Sequence, residues 1–228
     1  MCEQYVEQGV RTVVATPHMG GESRVTPEAV RRLVNDVSQG CIIRRLQLEI
    51  LPGGDICLDP ALLEALAAGR VLTLADSGKY LLLEMPSQVV PRIEELVFGL
   101  RLHGITPILS HPERNLEFGQ KPKLLAELVE GGCLVQLTAS SLLGYLGSAA
   151  MVAAQAFLES GLVHVLASDA HSSHSPRLVL DEVAEFLMAS VGYEETGRLL
   201  HDNPAKIIKG EPVGGSATQR NPGSRTQK

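Results

Sequence analysis

The sequence predicts an α/β fold built on a largely parallel sheet, open or closed. Short apolar runs alternate with longer helical stretches along the 228 residues. The runs are continuously apolar rather than alternating, as in strands covered on both faces. The stretches between them open at cap signals and stop at glycine, so the order reads β-α-β-α.

Taken in order, residues 2–9 read as the last turns of a helix ending at Gly9, and residues 11–16 (RTVVAT) as a strand stopped by Pro17. Thr26 and Pro27 open a helix as cap and first position, with Glu28 in its first turn. Further strands are expected at 46–51 (LQLEIL), 80–85 (YLLLEM), 105–110 (ITPILS), 133–138 (CLVQLT) and 163–168 (VHVLAS). Helices are expected at 91–103 and 121–130, each before a glycine, and at 148–160, 181–191 and 194–201. Asn203 and Pro204 read as cap and first position of a final helix ending near Gly210. Residues 211–228 are poor in apolar side chains and rich in Gly, Ser and Pro, which predicts a disordered tail after one domain over 1–210. There is no internal repeat.

Composition narrows the function. With 44% hydrophobic and 20% charged residues a sizeable core can form. The net charge of −6 argues against nucleic-acid or anionic-membrane partners. No apolar run reaches the length of a membrane span, and the first ten residues carry no basic-then-apolar leader pattern, which predicts a cytoplasmic protein. Cys2, Cys41, Cys57 and Cys133 show no CxxC spacing and read as reduced thiols rather than a zinc site or disulfide framework.

Ligands of parallel α/β sheets bind beyond the carboxyl ends of the strands. Polar residues gather there: His18 after the first strand, Asp55 after the second, Glu84 at the end of the third, His111 after the fourth, and Asp169 and His171 after the sixth. Each has an ordinary explanation alone. A histidine after a strand is commonly a loop residue, a strand carboxylate can be a paired core charge, and Asp169 could cap the next helix. Their coincidence at strand ends favours a shared purpose. Imidazole with carboxylate is a ligand set for zinc, manganese or iron, and the number of carboxylates favours more than one cation. Arg114 and Arg177 are the candidate anion anchors, because a guanidinium grips phosphate oxygens with two N–H groups. His103, His164 and His201 read as structural, and His174 is left open.

In order along the chain, ATPH (15–18), GGDI (53–56), LLLEMP (81–86), SHPERN (110–115), VQLTASSLLG (135–144), HVLASDAH (164–171) and DNPAKII (202–208) resemble the polymerase-and-histidinol-phosphatase (PHP) family. The branch most similar is that of the bacterial manganese-dependent protein-tyrosine phosphatases of capsular and exopolysaccharide operons. The resemblance implies a distorted seven-stranded β/α barrel with a three-metal cluster, usually manganese, at its carboxyl rim. It implies His18, Glu84, His111, Asp169 and His171 as ligands, with Asp55 in the place of a bridging glutamate one methylene longer, and Arg114 and Arg177 as phosphate-binding arginines. It also implies phosphotyrosine hydrolysis by water. No cysteine here lies in the CxxxxxR loop that a thiol nucleophile would need. The implied substrate is the tyrosine-rich tail of the operon's kinase, and a homo-oligomer is expected, since some relatives form rings. The family opens on a strand carrying HxH, which this sequence lacks. The reading is therefore a barrel missing its first strand-helix unit, with a misassigned start codon as the expected cause and genuine loss as the alternative. Two other functions stay open: a small-molecule phosphoesterase of the histidinol-phosphatase kind, and an inactive phosphotyrosine-binding or scaffold domain.

Overall fold

The computed structural model describes residues 1–172 and 178–214. Eight strand segments run through it: β1 (Thr12–Ala15), β2 (His18–Met19), β3 (Glu49–Pro52), β4 (Asp55–Cys57), β5 (Tyr80–Glu84), β6 (Thr106–Ser110), β7 (Leu134–Thr138) and β8 (Val165–Ala167). The helices are α1 (Cys2–Glu7), α2 (Pro27–Ile43), α3 (Leu62–Ala67), α4 (Glu94–Leu102), α5 (Leu116–Gln120), α6 (Pro122–Glu130), α7 (Ala139–Leu142), α8 (Ser148–Glu159), α9 (Leu180–Ser190), α10 (Gly192–Gly197) and α11 (Asn203–Lys209).

Every strand pair is parallel. A six-stranded sheet has the order β2-β4-β5-β6-β7-β8, and β1 pairs with β3 in a separate two-stranded sheet. The sequence reading placed one strand in each of the first two regions; the structure breaks each in two. The first bends at Ala15 to His18, where Pro17 offers no N–H and its carbonyl instead accepts from Asp55 N at 3.0 Å. The second bends at Gly53-Gly54, so the strand expected at 46–51 starts later, at Glu49, and resumes as β4. The bend needs glycine because of close approach. A Cβ on Gly54 would lie 2.6 Å from Met19 Sδ and 2.8 Å from Ile56 Cδ1.

Side chains alternate across these strands, and register decides which meet. Tyr80, Leu82, Ile108, Leu134 and Val165 point to one face and form an inner apolar cluster with Leu74 and Ile207. Continuing along the same face toward the strand ends, Leu82 stands opposite Asp55, Glu84 opposite both Cys57 and Ser110, and Asp55 opposite His18. Fold and site thus share one face: apolar at the amino ends of the strands, polar at the carboxyl ends. The opposite faces carry a larger cluster that includes Leu81, Leu83, Leu109, Val135 and Leu137, all about fully buried under the helices.

The start of α2 follows its cap signal. Thr26 Oγ1 accepts from Ala29 N at 3.3 Å ahead of Pro27 in α2. α1 packs Tyr5 into a small cluster with Cys41, Leu48 and Leu178, and its Tyr5 hydroxyl meets Ser168 Oγ at 2.9 Å. Gly9 then turns the chain at φ 77°, as its position at the helix end predicts. The final helix departs from expectation. Asn203 is helical, at φ −67° and ψ −47°, and does not cap; its Nδ2 donates to the buried His164 carbonyl at 2.8 Å. A buried carbonyl otherwise left unmet outweighs a helix N–H already served by a continuing helix. Gly210 closes α11 at φ 70°. The segment expected to start the tail is packed at first: Tyr80 Oη donates to the Glu211 carbonyl at 2.6 Å, and Val213 lies against the inner cluster. Residues 215–228, where the rest of that expectation falls, lie outside the described residues.

Candidate metal centre

Four of the expected residues converge. Asp55, 3% exposed, holds its carboxylate in place by accepting from Ser110 Oγ at 3.0 Å. His18 Nδ1 lies 3.0 Å from Glu84 Oε2 and 3.8 Å from Asp55 Oδ2. His111 Nε2 lies 3.6 Å from Asp55 Oδ2 and 3.8 Å from Glu84 Oε1. Donor atoms of Asp55, Glu84 and His111 all fall within 4.8 Å of one another. Burial is the strongest influence on the His111 imidazole and disfavours its charge. Asp55 overrides burial by hydrogen bond and charge, Asp169 assists against the opposing Arg114, and the net shift is upward.

The second group sits beside the first. Arg114 Nη1 donates to Asp169 Oδ2 at 2.9 Å, so the expected anion anchor is engaged by an expected ligand. The His171 ring is 6.0 Å from the His18 ring, centroid to centroid, and its Nδ1 is 2.9 Å from the Asp169 carbonyl. Asp169 follows β8 in a left-handed conformation at φ 48°. His111 is also left-handed, at φ 36°. Non-glycine residues in this region cost of order 1–3 kcal/mol each, and such strain gathers at functional sites. Arg177 and His174 lie outside the described residues.

The loop bearing His111 and Arg114 is anchored on both sides. Asn115 caps α5 by accepting from Phe118 N at 2.8 Å, and its Nδ2 donates to the carbonyls of Pro86 and Val89 beyond β5. Glu113, 3% exposed, accepts from Thr138 N at the end of β7 at 3.0 Å. Burial pushes its carboxyl up from the usual range.

Cys57 also reaches the rim. Its Sγ donates to Glu84 Oε2 at 3.3 Å, and Cys57, His18 and Glu84 offer donor atoms within 4.8 Å of one another. All four cysteines are free thiols, as the sequence predicts, and register brings one of them to the rim. Cys57 is two residues past Asp55 and opposite Glu84, so alternation puts it on the site face. Burial, then the Glu84 and Asp55 carboxylates, push its thiol up to about 11.

The donor set fits a divalent cation. The Asp55 and Glu84 carboxylates and the His18 and His111 imidazoles lie close together at the rim, and nitrogen with oxygen suits manganese, zinc or iron.

Fold and site together define a parallel α/β protein whose strand ends carry side chains able to hold a metal ion. The family model for capsular polysaccharide synthesis, CpsB/CapC, matches residues 1–209, and the chain belongs to this family. Among its relatives, the tyrosine-protein phosphatase YwqE of Bacillus subtilis is 34% identical over 215 residues, covering 93% of this chain and 84% of YwqE. The tyrosine-protein phosphatase CpsB of Streptococcus pneumoniae is 30% identical over 222 residues, covering 91% of this chain and 88% of CpsB. A crystal structure from a study of YwqE and CpsB, described as unique metal-dependent tyrosine phosphatases, superimposes with a TM-score of 0.90 at 33% identity, covering 95% of this chain and 87% of that one.

Proposed function

We propose that the chain is a metal-dependent phosphatase that hydrolyses phosphotyrosine in proteins, with residues 1–210 as the catalytic unit. The observation that carries this reading is the convergence of His18, Asp55, Glu84 and His111 at the strand ends, with the Arg114–Asp169 pair beside them. Membership of the CpsB/CapC family supports it, because relatives bear the name tyrosine-protein phosphatase.

In this reading His18, Asp55, Glu84, His111, Asp169 and His171 hold the cation or cations, manganese in preference to iron or zinc. A divalent cation there supplies Lewis acidity, which acidifies water and offsets charge on phosphoryl oxygens. The chain's own residues do the rest. Arg114 exchanges one Asp169 oxygen for a phosphate oxygen and orients the dianion with its planar fork. Arg177 is assigned the same task from the far side. Asn115 and Glu113 fix the loop that carries His111 and Arg114, so both arrive pre-oriented. The substrate is assigned as the tyrosine-rich tail of a capsule-operon kinase, met in the cytoplasm by a homo-oligomer. No helix among the described residues is long and apolar enough to cross a membrane.

The test is hydrolysis of a phosphotyrosyl peptide and of histidinol phosphate by the full chain, after manganese loading checked by elemental analysis. Turnover of the peptide, with little of histidinol phosphate, is expected. Preference for histidinol phosphate would give the small-molecule reading. Peptide binding without turnover of either, at full metal content, would make the chain a phosphotyrosine-binding domain.

A further inference from the structure

Cys57 has no part in the oxygen-and-nitrogen reading of the rim, yet the fold aims it there. β4 presents Asp55 and Cys57 on one face, with Ile56, fully buried, on the other. Cys57 stands opposite Glu84 in register, its Sγ is 3.3 Å from Glu84 Oε2, and that same oxygen is 3.0 Å from His18 Nδ1. These are the separations of ligands around one ion. With Zn–S of about 2.3 Å and Zn–O and Zn–N of about 2.0 Å, tetrahedral geometry places sulfur and oxygen about 3.5 Å apart and nitrogen and oxygen about 3.3 Å apart. His18 is half exposed, with 46% of its side-chain surface open, so a cation can enter from solvent. Cys41 and Cys133 are buried in apolar clusters instead.

We propose that Cys57 is a sulfur ligand at this rim, so that the His18–Cys57–Glu84 corner takes a thiophilic divalent cation of the zinc class. The inference rests on the reading of the rim as a metal centre and replaces its manganese preference at this one corner. Sulfur selects soft or borderline cations, whereas an all-oxygen-and-nitrogen corner suits manganese. The rim would then be mixed, with one corner preferring zinc and the Asp55–Glu84–His111 side accepting harder ions. On binding, the cation replaces the thiol proton, which leaves to solvent.

The experiment uses cobalt(II) as a spectroscopic probe and zinc as the test ion, on the full chain. Wild type with one cobalt per chain should show a thiolate-to-cobalt charge-transfer band in the near ultraviolet. X-ray absorption of the zinc form should show a sulfur shell at about 2.3 Å. Both signals should vanish in Cys57→Ser and in Cys57→Ala, with circular dichroism unchanged. Zinc affinity should fall by about tenfold or more in the variants while manganese affinity changes by less than about threefold. Cobalt bound at full stoichiometry without the band, or a band that survives in a folded Cys57→Ser, would overturn sulfur ligation while leaving the metal centre intact. Failure of wild type to bind cobalt, zinc or manganese at all would overturn both.

Discussion

Arg114 shows how a single contact can be read against a role. Its guanidinium is tied to Asp169 at 2.9 Å, with 44% of its side-chain surface exposed. A pair that open contributes little to stability, about 0–1 kcal/mol, so its value lies in orientation. Arg114→Ala should leave the fold and metal content in place and lower turnover of a phosphotyrosyl peptide by about a hundredfold or more. Arg114→Lys should recover only part, because an ammonium has no planar fork. The check is steady-state kinetics beside elemental analysis, and wild-type turnover in Arg114→Ala would remove the residue from the mechanism.

His164 behaves differently, being buried away from the rim. Its Nδ1 accepts from Val135 N at 3.2 Å, and burial first, then the charge of Arg198, push its pKa down to about 4. In the unfolded chain it titrates near 6.5. Between those values the unfolded state takes up a proton that the folded state refuses, so stability falls as pH drops from about 6.5 to 4. The full effect is about 3 kcal/mol. His164→Asn keeps an acceptor for Val135 and removes the titration. Urea unfolding from pH 7 to 4 should show a flatter acid limb in the variant; an unchanged slope would place the acid sensitivity elsewhere.

At the scale of elements, the bends at Pro17 and Gly53-Gly54 do more than divide strands. Each delivers a site residue at the start of the resumed segment, His18 in β2 and Asp55 in β4, and the two pair in register. Gly54→Ala would force its Cβ to within 2.6 Å of Met19 Sδ, a side chain with no exposed surface. β4 must shift or Met19 must repack, at about 1–3 kcal/mol. The expected outcome is a lower thermal midpoint together with weaker metal binding, since Asp55 and Cys57 ride on β4. Calorimetric Tm and a metal titration on the same variant test it, and undiminished metal affinity despite lost stability would separate the bend from the site.

At the scale of the whole molecule, the rim sets two carboxylates above the apolar face of the sheet. Asp55 and Glu84 crowd two carboxylates, one of them 3% exposed, at the top of an otherwise apolar face. A cation bound only by the folded state stabilises it by about 2.7 kcal/mol at a hundredfold excess over Kd. Chelation should therefore lower the thermal midpoint by several degrees, and re-addition of manganese should restore it. An identical midpoint in chelated and loaded protein would show that the rim holds no folding-linked metal.

Much of this was legible in the residues themselves. The strand-helix alternation, the start of α2 at Thr26-Pro27, the stop of α11 at Gly210 and the gathering of His18, Asp55, Glu84 and His111 at strand ends follow from local rules: apolar run length, caps, and the fixed chemistry of imidazole and carboxylate. What only the tertiary structure decided depends on which strand lies beside which and in what register. The two bends, the buried carbonyl that takes Asn203 from its capping role, the Arg114–Asp169 pair 55 residues apart and the arrival of Cys57 opposite Glu84 all have that origin. The physical reason is that a periodicity of two assigns a side chain to a face but not to a neighbour, and neighbours are set by packing across the sheet.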